Sequence, residues 1–311
     1  MRTSAILRKH LSEGRLLVKP SAFDALSAKM IQAAGFKVMG ITGYGASVSM
    51  LGKPDAGFMT LTEMISLTRY VTGATTIPVI CDADTGFGNA LNVLRTTEEF
   101  IKAGAAGFHM EDQVAPKRCG PVAGKELISI EEAVGKIRAA DKVRRELDPD
   151  FLLIARTDAG NAVGGSLEEV IRRGRAYMEA GADMIFPDGI VGLEELTRCA
   201  AEIKAPIHYN MAVLNASEYI PLTRLESIGV SIVSNPAGLL RTAMKAMWDY
   251  AHGFAEGGVD YMKEADAALS GHPTGNLHQF VGFAEIKKLE ETFLPKAAVE
   301  RKYERSSGFQ P

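Results

Sequence analysis

The 311 residues of this chain predict an α/β fold, a parallel (β/α)8 TIM barrel. Three observations carry that prediction. Short apolar, β-branched runs recur eight times, separated by longer stretches with the periodicity of amphipathic helices. Several of those stretches end in a glycine leading straight into the next run, as in AAGFKVMG, KAGAAGFHM, EAGADMIF and SIGVSIV. Glycine just past a helix end is a common C-cap, so the repetition reads as one βα unit used many times. Nearly every run also ends on a polar or charged residue, and in such barrels that end is where sites are built.

Taken in order, the expected strands cover 16–20 (LLVKP), 38–42 (VMGIT), 78–84 (PVICDAD) and 107–112 (GFHMED). They continue at 152–158 (LLIARTD), 184–189 (MIFPDG), 206–210 (PIHYN) and 231–235 (SIVSN). Helical periodicity is clearest over 22–34, 166–180 and 193–203. A doubly wound open sheet is the alternative arrangement, but no Gly-rich dinucleotide fingerprint follows the first strand. Two connections on the site face are long: 43–59, rich in Gly, Pro and Asp, and 113–128 (QVAPKRCGPVAGKELI). Long loops on that face often act as lids. Residues 1–256 are expected to form the barrel domain. Residues 257–311 read as a C-terminal helical extension, packing on the barrel or on a neighbouring subunit.

Bulk composition narrows the function. Hydrophobic residues make up 46%, enough for a large core, while 23% charged residues and a net charge of −3 describe an ordinary soluble surface. No basic block and no run of 18 or more apolar residues occurs, so neither nucleic acid nor membrane is an expected partner. The opening MRTSAILRKHLSEG reads as a charged amphipathic helix rather than an apolar-centred signal. Cys81, Cys119 and Cys199 are too few and too scattered for a disulfide framework or zinc site. A reducing, cytoplasmic setting follows.

The densest chemistry closes the third strand, in VICDADTGFG at 79–88. On a strand Asp82 and Asp84 would face the same way, and the glycines after them let backbone approach whatever they hold. Adjacent carboxylates repel unless a cation or proton lies between them. Asp-rich turns are also common, so the pair alone reads equally well as turn residues. Glu111 and Asp112 end the neighbouring strand, and several carboxylates at one mouth favour Mg²⁺, with Mn²⁺ as a substitute. Arg156 and Asp158 end strand five, either as an ion pair across the mouth or with Arg156 gripping a substrate carboxylate. Asp188, His208 and Asn210 are weaker signals. Cys119 follows Lys117 and Arg118 in a glycine-flanked loop, where cations are expected to lower a thiol's pKa. Cys81 and Cys199 read as inert buried thiols. Lys117, Arg118 and Lys125 beside a metal site suit a small anionic substrate, a carboxylic or phosphonic acid.

Together DADTGFG, HMEDQVAPKRCG, ARTDA and FPD resemble the isocitrate lyase/phosphoenolpyruvate mutase superfamily over about residues 5–290. The spacing is nearest the 2-methylisocitrate lyase and dimethylmalate lyase branch. That resemblance implies a barrel whose last helix is exchanged between subunits of a homo-oligomer, a dimer or a dimer of dimers (homotetramer). It implies Asp82, Asp84 and Glu111 around Mg²⁺, with Asp55 a further acidic site residue. Lys117 and Cys119 would lie on a mobile loop, and Arg156 would hold the carboxylate of a 2-oxo acid. Thr42, Gly43, Tyr44, Asp188 and Asn210 fall at substrate-contact positions. The implied activity is Mg²⁺-dependent carbon–carbon cleavage of a 2-hydroxy di- or tricarboxylic acid, with Cys119 as general acid. A 2-oxo acid hydrolase or decarboxylase, a phosphonomutase and a non-catalytic 2-oxo acid binder are the alternatives.

Departures from the lyase pattern concentrate in one half of the site. Pro121 stands where the relatives have histidine, Asp188 where they have glutamate, and Thr42-Gly43-Tyr44 where they have a Ser-Gly-Gly-like stretch. Met211 and Ala212 replace small hydroxyl residues. These positions hold the distal carboxylate in relatives, so the expected distal group is less polar than that of methylisocitrate.

Overall fold

The computed structural model describes residues 1–211 and 219–304. Eight parallel strands close into one barrel in sequence order, and the first pairs with the last. The closed sheet excludes the open doubly wound alternative. Helix α1 (Thr3–Ser12) precedes β1 (Leu17–Ala22), followed by α2 (Ala25–Ala33) and β2 (Met39–Ile41). Then come α3 (Gly43–Ala46), a π-helical turn (Ser47–Leu51), α4 (Leu61–Gly73) and β3 (Val79–Asp82). The middle of the barrel is α5 (Ala90–Lys102), β4 (Gly107–Glu111), α6 (Ile130–Leu147) and β5 (Leu152–Thr157). It closes through α7 (Leu167–Glu179), β6 (Met184–Pro187), α8 (Gly192–Ile203), β7 (Ile207–Asn210), α9 (Leu222–Ser227) and β8 (Val230–Asn235).

Local sequence sets the element ends. Asp24 with Ser27, and Thr60 with Glu63, form reciprocal capping boxes at the starts of α2 and α4. At the other ends, Gly35, Gly104, Gly181 and Gly229 all take positive φ, between 84° and 111°. These are the repeated glycines that precede strands, and a side chain there would be strained. The stretch 43–59 departs from its expected loop form. Thr42 caps α3, and the π-helical turn ends at Gly52 with φ 63°.

Two apolar layers hold the barrel. The larger lies between strands and helices and includes Phe100, Phe108, Phe151, Tyr177 and Leu196. The smaller fills the barrel interior with Leu17, Val38, Ile80, Leu152, Ile154, Met184 and Ile232. Leu7 of α1 joins it and is fully buried. Gly107 shows how tightly β4 and β5 approach, since a Cβ there would meet the Leu152 carbonyl oxygen at 2.5 Å.

The chain divides into compact units Met1–Thr242 and Ala243–Pro311. Helix α10 (Gly238–Ala268) crosses the division and breaks at Gly258, with φ 54° and ψ −132°. The second unit continues with α11 (Leu277–Val281), α12 (Phe283–Phe293) and α13 (Lys296–Glu304). By itself it has almost no interior: among its described residues, Val299 is the one buried side chain. No helix among the described residues is long and apolar enough to cross a membrane.

Because Leu7 is fully enclosed, Leu7→Ala is expected to cost about 2–5 kcal/mol in denaturant unfolding. A loss well under 1 kcal/mol would mean α1 is not seated against the barrel.

Candidate active site

The site forms at the C-terminal ends of the strands. Strand β3 stops at Asp82, and Asp84 lies in the turn beyond it with φ 44°. Strand alternation therefore does not aim Asp84; a left-handed turn residue does, a conformation Asp tolerates better than most. The turn is tied to β4, because Ala83 N–H donates to the His109 carbonyl and Glu111 N–H to the Asp84 carbonyl. Asp82 Oδ1 accepts the Asp84 N–H at 3.0 Å, and Oδ2 accepts the Gly43 N–H at 2.9 Å. A Cβ on Gly43 would lie 2.7 Å from Asp82 Oδ2 and 3.4 Å from Asp84 Oδ1. Both carboxylates thus meet at a spot that only glycine leaves open.

Glu111 and Asp112 part company. Successive strand residues face opposite ways, so Glu111 points to the barrel mouth and Asp112 outward. There Asp112 Oδ2 accepts from Tyr177 Oη at 2.7 Å and Arg173 Nη1 at 3.1 Å. Its role is to brace α7 against β4 rather than to join the carboxylate cluster.

Arg156 makes the ion pairs that one reading of its sequence position expects. Nε and Nη2 donate to Asp158 at 2.9 and 2.8 Å, and Nη2 also to Asp188 at 3.0 Å. Nη1 lies 3.3 Å from Glu111 Oε2, and the guanidinium sits 5.2 Å from the Phe186 ring centroid. Three carboxylates orient it, while its side chain borders the cavity described below.

Loop 113–128 is stapled down. Gln113 bridges to Leu127, and its side chain both donates to the Arg118 carbonyl and accepts the Arg118 N–H. Lys117 Nζ stands 2.7 Å from Asp55 and 2.9 Å from Asp84. Lys125 Nζ donates to Asp158 at 2.8 Å and to the Gly120 carbonyl at 2.6 Å. Neither lysine belongs to a solvated basic loop: both are buried.

The electrostatics follow from burial opposed by these pairs. Burial pushes Asp84 up to about 6, with Asp82 and Asp55 adding to it and Lys117 opposing. Glu111 is raised well above the ordinary carboxylate range, again first by burial. For Asp82, burial is outweighed by His109, Lys117 and Arg156, and its carboxyl is held at about 2. Lys117 also loses hydration, yet Asp84, Glu111, Asp82 and Asp55 keep it firmly charged. Cys119 corrects the expectation of a lowered thiol pKa. Burial, with Asp55 and Asp188, pushes it up to about 12 and outweighs Lys117 and Arg156. The thiol therefore holds its proton.

One cavity, with about 820 Å³ of empty space and open at its mouth, collects these groups. Thr42, Tyr44, Asp55, Asp82, Cys119, Pro121, Arg156 and Asn210 line it. Gly43, Asp84, Glu111, Lys117 and Asp188 are bonded or paired to lining residues from behind. Met211 packs in the outer apolar layer instead, its N–H bonded to the Ser234 carbonyl. Ala212 lies outside the described residues. The wall also holds residues not singled out from sequence: Lys19, Ser21, His109, Ser234, Asn235 and Arg241. Their signal was present in part, since Lys19 interrupts an apolar run and His109 shares a strand face with Glu111.

Among the described residues, no three acidic, histidine or cysteine side chains converge as a finished metal cage. Lys117 Nζ occupies the space between Asp55 and Asp84. The donor set nevertheless fits a hard divalent cation. Asp82, Asp84 and Glu111 offer only oxygens, and Glu111 Oε1 is buried without a hydrogen-bond donor, while Asp84 Oδ1 faces Lys117 Nζ at 2.9 Å. Direct and water-bridged ligation would both satisfy them.

Comparison with known proteins places this site in a family. The family model for phosphoenolpyruvate phosphomutase matches residues 7–255. The 2,3-dimethylmalate lyase of Eubacterium barkeri is 45% identical over 249 residues, covering 80% of this chain and 85% of that protein. A crystal structure of 2,3-dimethylmalate lyase superposes with a TM-score of 0.87 at 31% identity, covering 99% of each chain. Phosphonopyruvate hydrolase in complex with oxalate and Mg²⁺ matches with a TM-score of 0.84 at 31% identity, covering 95% of this chain and 100% of that one. With its closed barrel and these matches, the chain belongs to the phosphoenolpyruvate mutase/isocitrate lyase superfamily of enzymes.

Proposed function

We propose that this enzyme is a Mg²⁺-dependent carbon–carbon lyase cleaving a small 2-hydroxy di- or tricarboxylic acid of the dimethylmalate or methylisocitrate kind. The products are a 2-oxo acid and a second carboxylate. One observation carries the reading: a single cavity brings a carboxylate-held guanidinium, a cluster of buried acids and a protonated thiol together. The match to 2,3-dimethylmalate lyase supports the substrate class.

Mg²⁺, with Mn²⁺ as a substitute, would be held by Asp82, Asp84 and Glu111 and would supply Lewis-acid stabilisation of negative charge on the substrate oxygens. Arg156, oriented by Asp158, Asp188 and Glu111, grips the carboxylate next to the 2-hydroxyl group. Thr42, Gly43, Tyr44, Asp55 and Asn210 shape the pocket around the rest. As the hydroxyl loses its proton, the Cα–Cβ bond breaks and its electron pair passes to the departing carbon. Cys119 gives that carbon a proton, which a thiol held protonated by burial is suited to do. The hydroxyl's proton is taken up by a neighbouring carboxylate of the acid cluster and passes back to the thiolate once Cys119 has given up its own, so atoms and charge balance. Lys117 anchors loop 113–128 through Asp55 and Asp84, and the closed loop keeps water from the carbanion.

A 2-oxo acid hydrolase on the same site is the second reading, favoured by the match to phosphonopyruvate hydrolase. We further propose a homo-oligomer, a dimer or dimer of dimers with the last barrel helix exchanged, in a reducing cytoplasm. Segment 257–311 would supply contacts between subunits. Exposed apolar side chains such as Leu277, Phe283 and Phe293 in a unit with almost no interior support that view, and three unpaired cysteines support the reducing setting.

Incubating the enzyme with 2-hydroxy diacids and Mg²⁺ is expected to release pyruvate or glyoxylate, and EDTA is expected to abolish the release. Cleavage of oxaloacetate or phosphonopyruvate alone would move the assignment to the hydrolases. Cys119→Ser is expected to lower kcat by about 10²–10⁴-fold while leaving oxalate binding within a few-fold of wild type. Retained turnover in that variant would remove the thiol from the mechanism.

A further inference from the structure

The floor of the cavity carries polar side chains that the proposed reaction does not use. Lys19 on β1 and Ser234 on β8 are register partners, and both line the cavity with Ser21, His109 and His208. Two residues before each of the two partners, Leu17 and Ile232 belong to the apolar interior layer. The polar group therefore forms the next layer up, between that plug and the carboxylates at the mouth.

Lys19 is 2% exposed, and among the described residues its ammonium makes no hydrogen bond or ion pair. Lys19 Nζ and Ser21 Oγ flank one spot above Gly40. A Cβ placed there would come within 2.8 Å of the nitrogen and 2.9 Å of the oxygen. His208 is fully buried, with Nε2 3.0 Å from Ser234 Oγ and Nδ1 without a partner. Its ring lies 4.3 Å from the Phe186 ring, the same ring that packs under the Arg156 guanidinium at 5.2 Å. Phe186 thus stands between the Arg156 guanidinium and the His208 ring. Burial penalises the Lys19 ammonium and Asp82 only partly offsets it, so an anion entering from the cavity relieves that cost.

We propose that Lys19, Ser21 and His208 form a second anion subsite that receives the substrate carboxylate remote from the 2-hydroxy acid end. The inference rests on the lyase reading above and narrows it to substrates of at least four carbons carrying a carboxylate at each end. It also relocates the polarity missing at Tyr44, Pro121 and Met211: the distal contacts move from the loops to the barrel wall.

Calorimetric titration of the full chain with oxalate and with succinate, each in saturating Mg²⁺, tests this. On this proposal oxalate, whose carboxylates are joined directly, occupies only the Arg156 half, and succinate, with two carbons between its carboxylates, engages both. Lys19→Met removes the ammonium but keeps the apolar stem, and Gly40→Ala fills the cradle. Both variants are expected to weaken succinate about tenfold or more and to change oxalate by less than about twofold. Unchanged succinate affinity in the variants, an equal loss for oxalate, or no succinate binding by wild type overturns the subsite. Absence of oxalate binding by wild type instead sinks the lyase reading, and the succinate comparison still judges the subsite.

Discussion

Everything at the mouth of this barrel depends on a surplus of buried acid. Asp55, Asp82, Asp84, Glu111, Asp158 and Asp188 gather there, while Lys117, Lys125 and Arg156 are the cations paired with them. Buried charges are costly unless paired, so each cation is shared: Lys117 between two carboxylates, Arg156 among three. The sharing is incomplete. It shows in Asp84 and Glu111, whose carboxyls burial lifts above their usual range, and in the undonated Oε1 of Glu111. The oxygens of such a cluster suit a divalent cation. Gly43, whose side chain would collide with Asp82, keeps the space beside the carboxylates open.

The same surplus ties the loop to the chemistry. Lys117 and Lys125 are its two anchors, and Cys119 lies between them in sequence, on the cavity wall. The loop held over the acids therefore carries both the thiol and the positive charge. Excluding water raises the thiol's pKa, so the group that closes the site is also kept in its proton-donating form. Lys117, standing between Asp55 and Asp84, offsets part of the repulsion among the carboxylates.

Much of the architecture was legible in the chain because the signals are local. Period, strand-ending acids and the glycines at 35, 104, 181 and 229 each reflect backbone geometry that short segments impose alone. What escaped depends on three dimensions. Asp84 is aimed by a left-handed turn, not by the strand. Asp112, next to Glu111, faces the other way and serves Arg173 and Tyr177. Cys119 was read from its cationic neighbours in sequence, whereas its burial and the acids across the cavity decide its proton affinity. Met211 turns into the outer layer. Lys19 lies on the first strand and His208 and Ser234 on the last two, and only closure of the barrel brings them onto one floor.

The most direct measurement is a crystal structure of the full chain grown with Mg²⁺ and oxalate. Metal density among Asp82, Asp84 and Glu111, with oxalate against Arg156 and Lys117 drawn away from Asp84, is the expected result. Oxalate bound with the carboxylates still closed around Lys117 and no metal between them would contradict it.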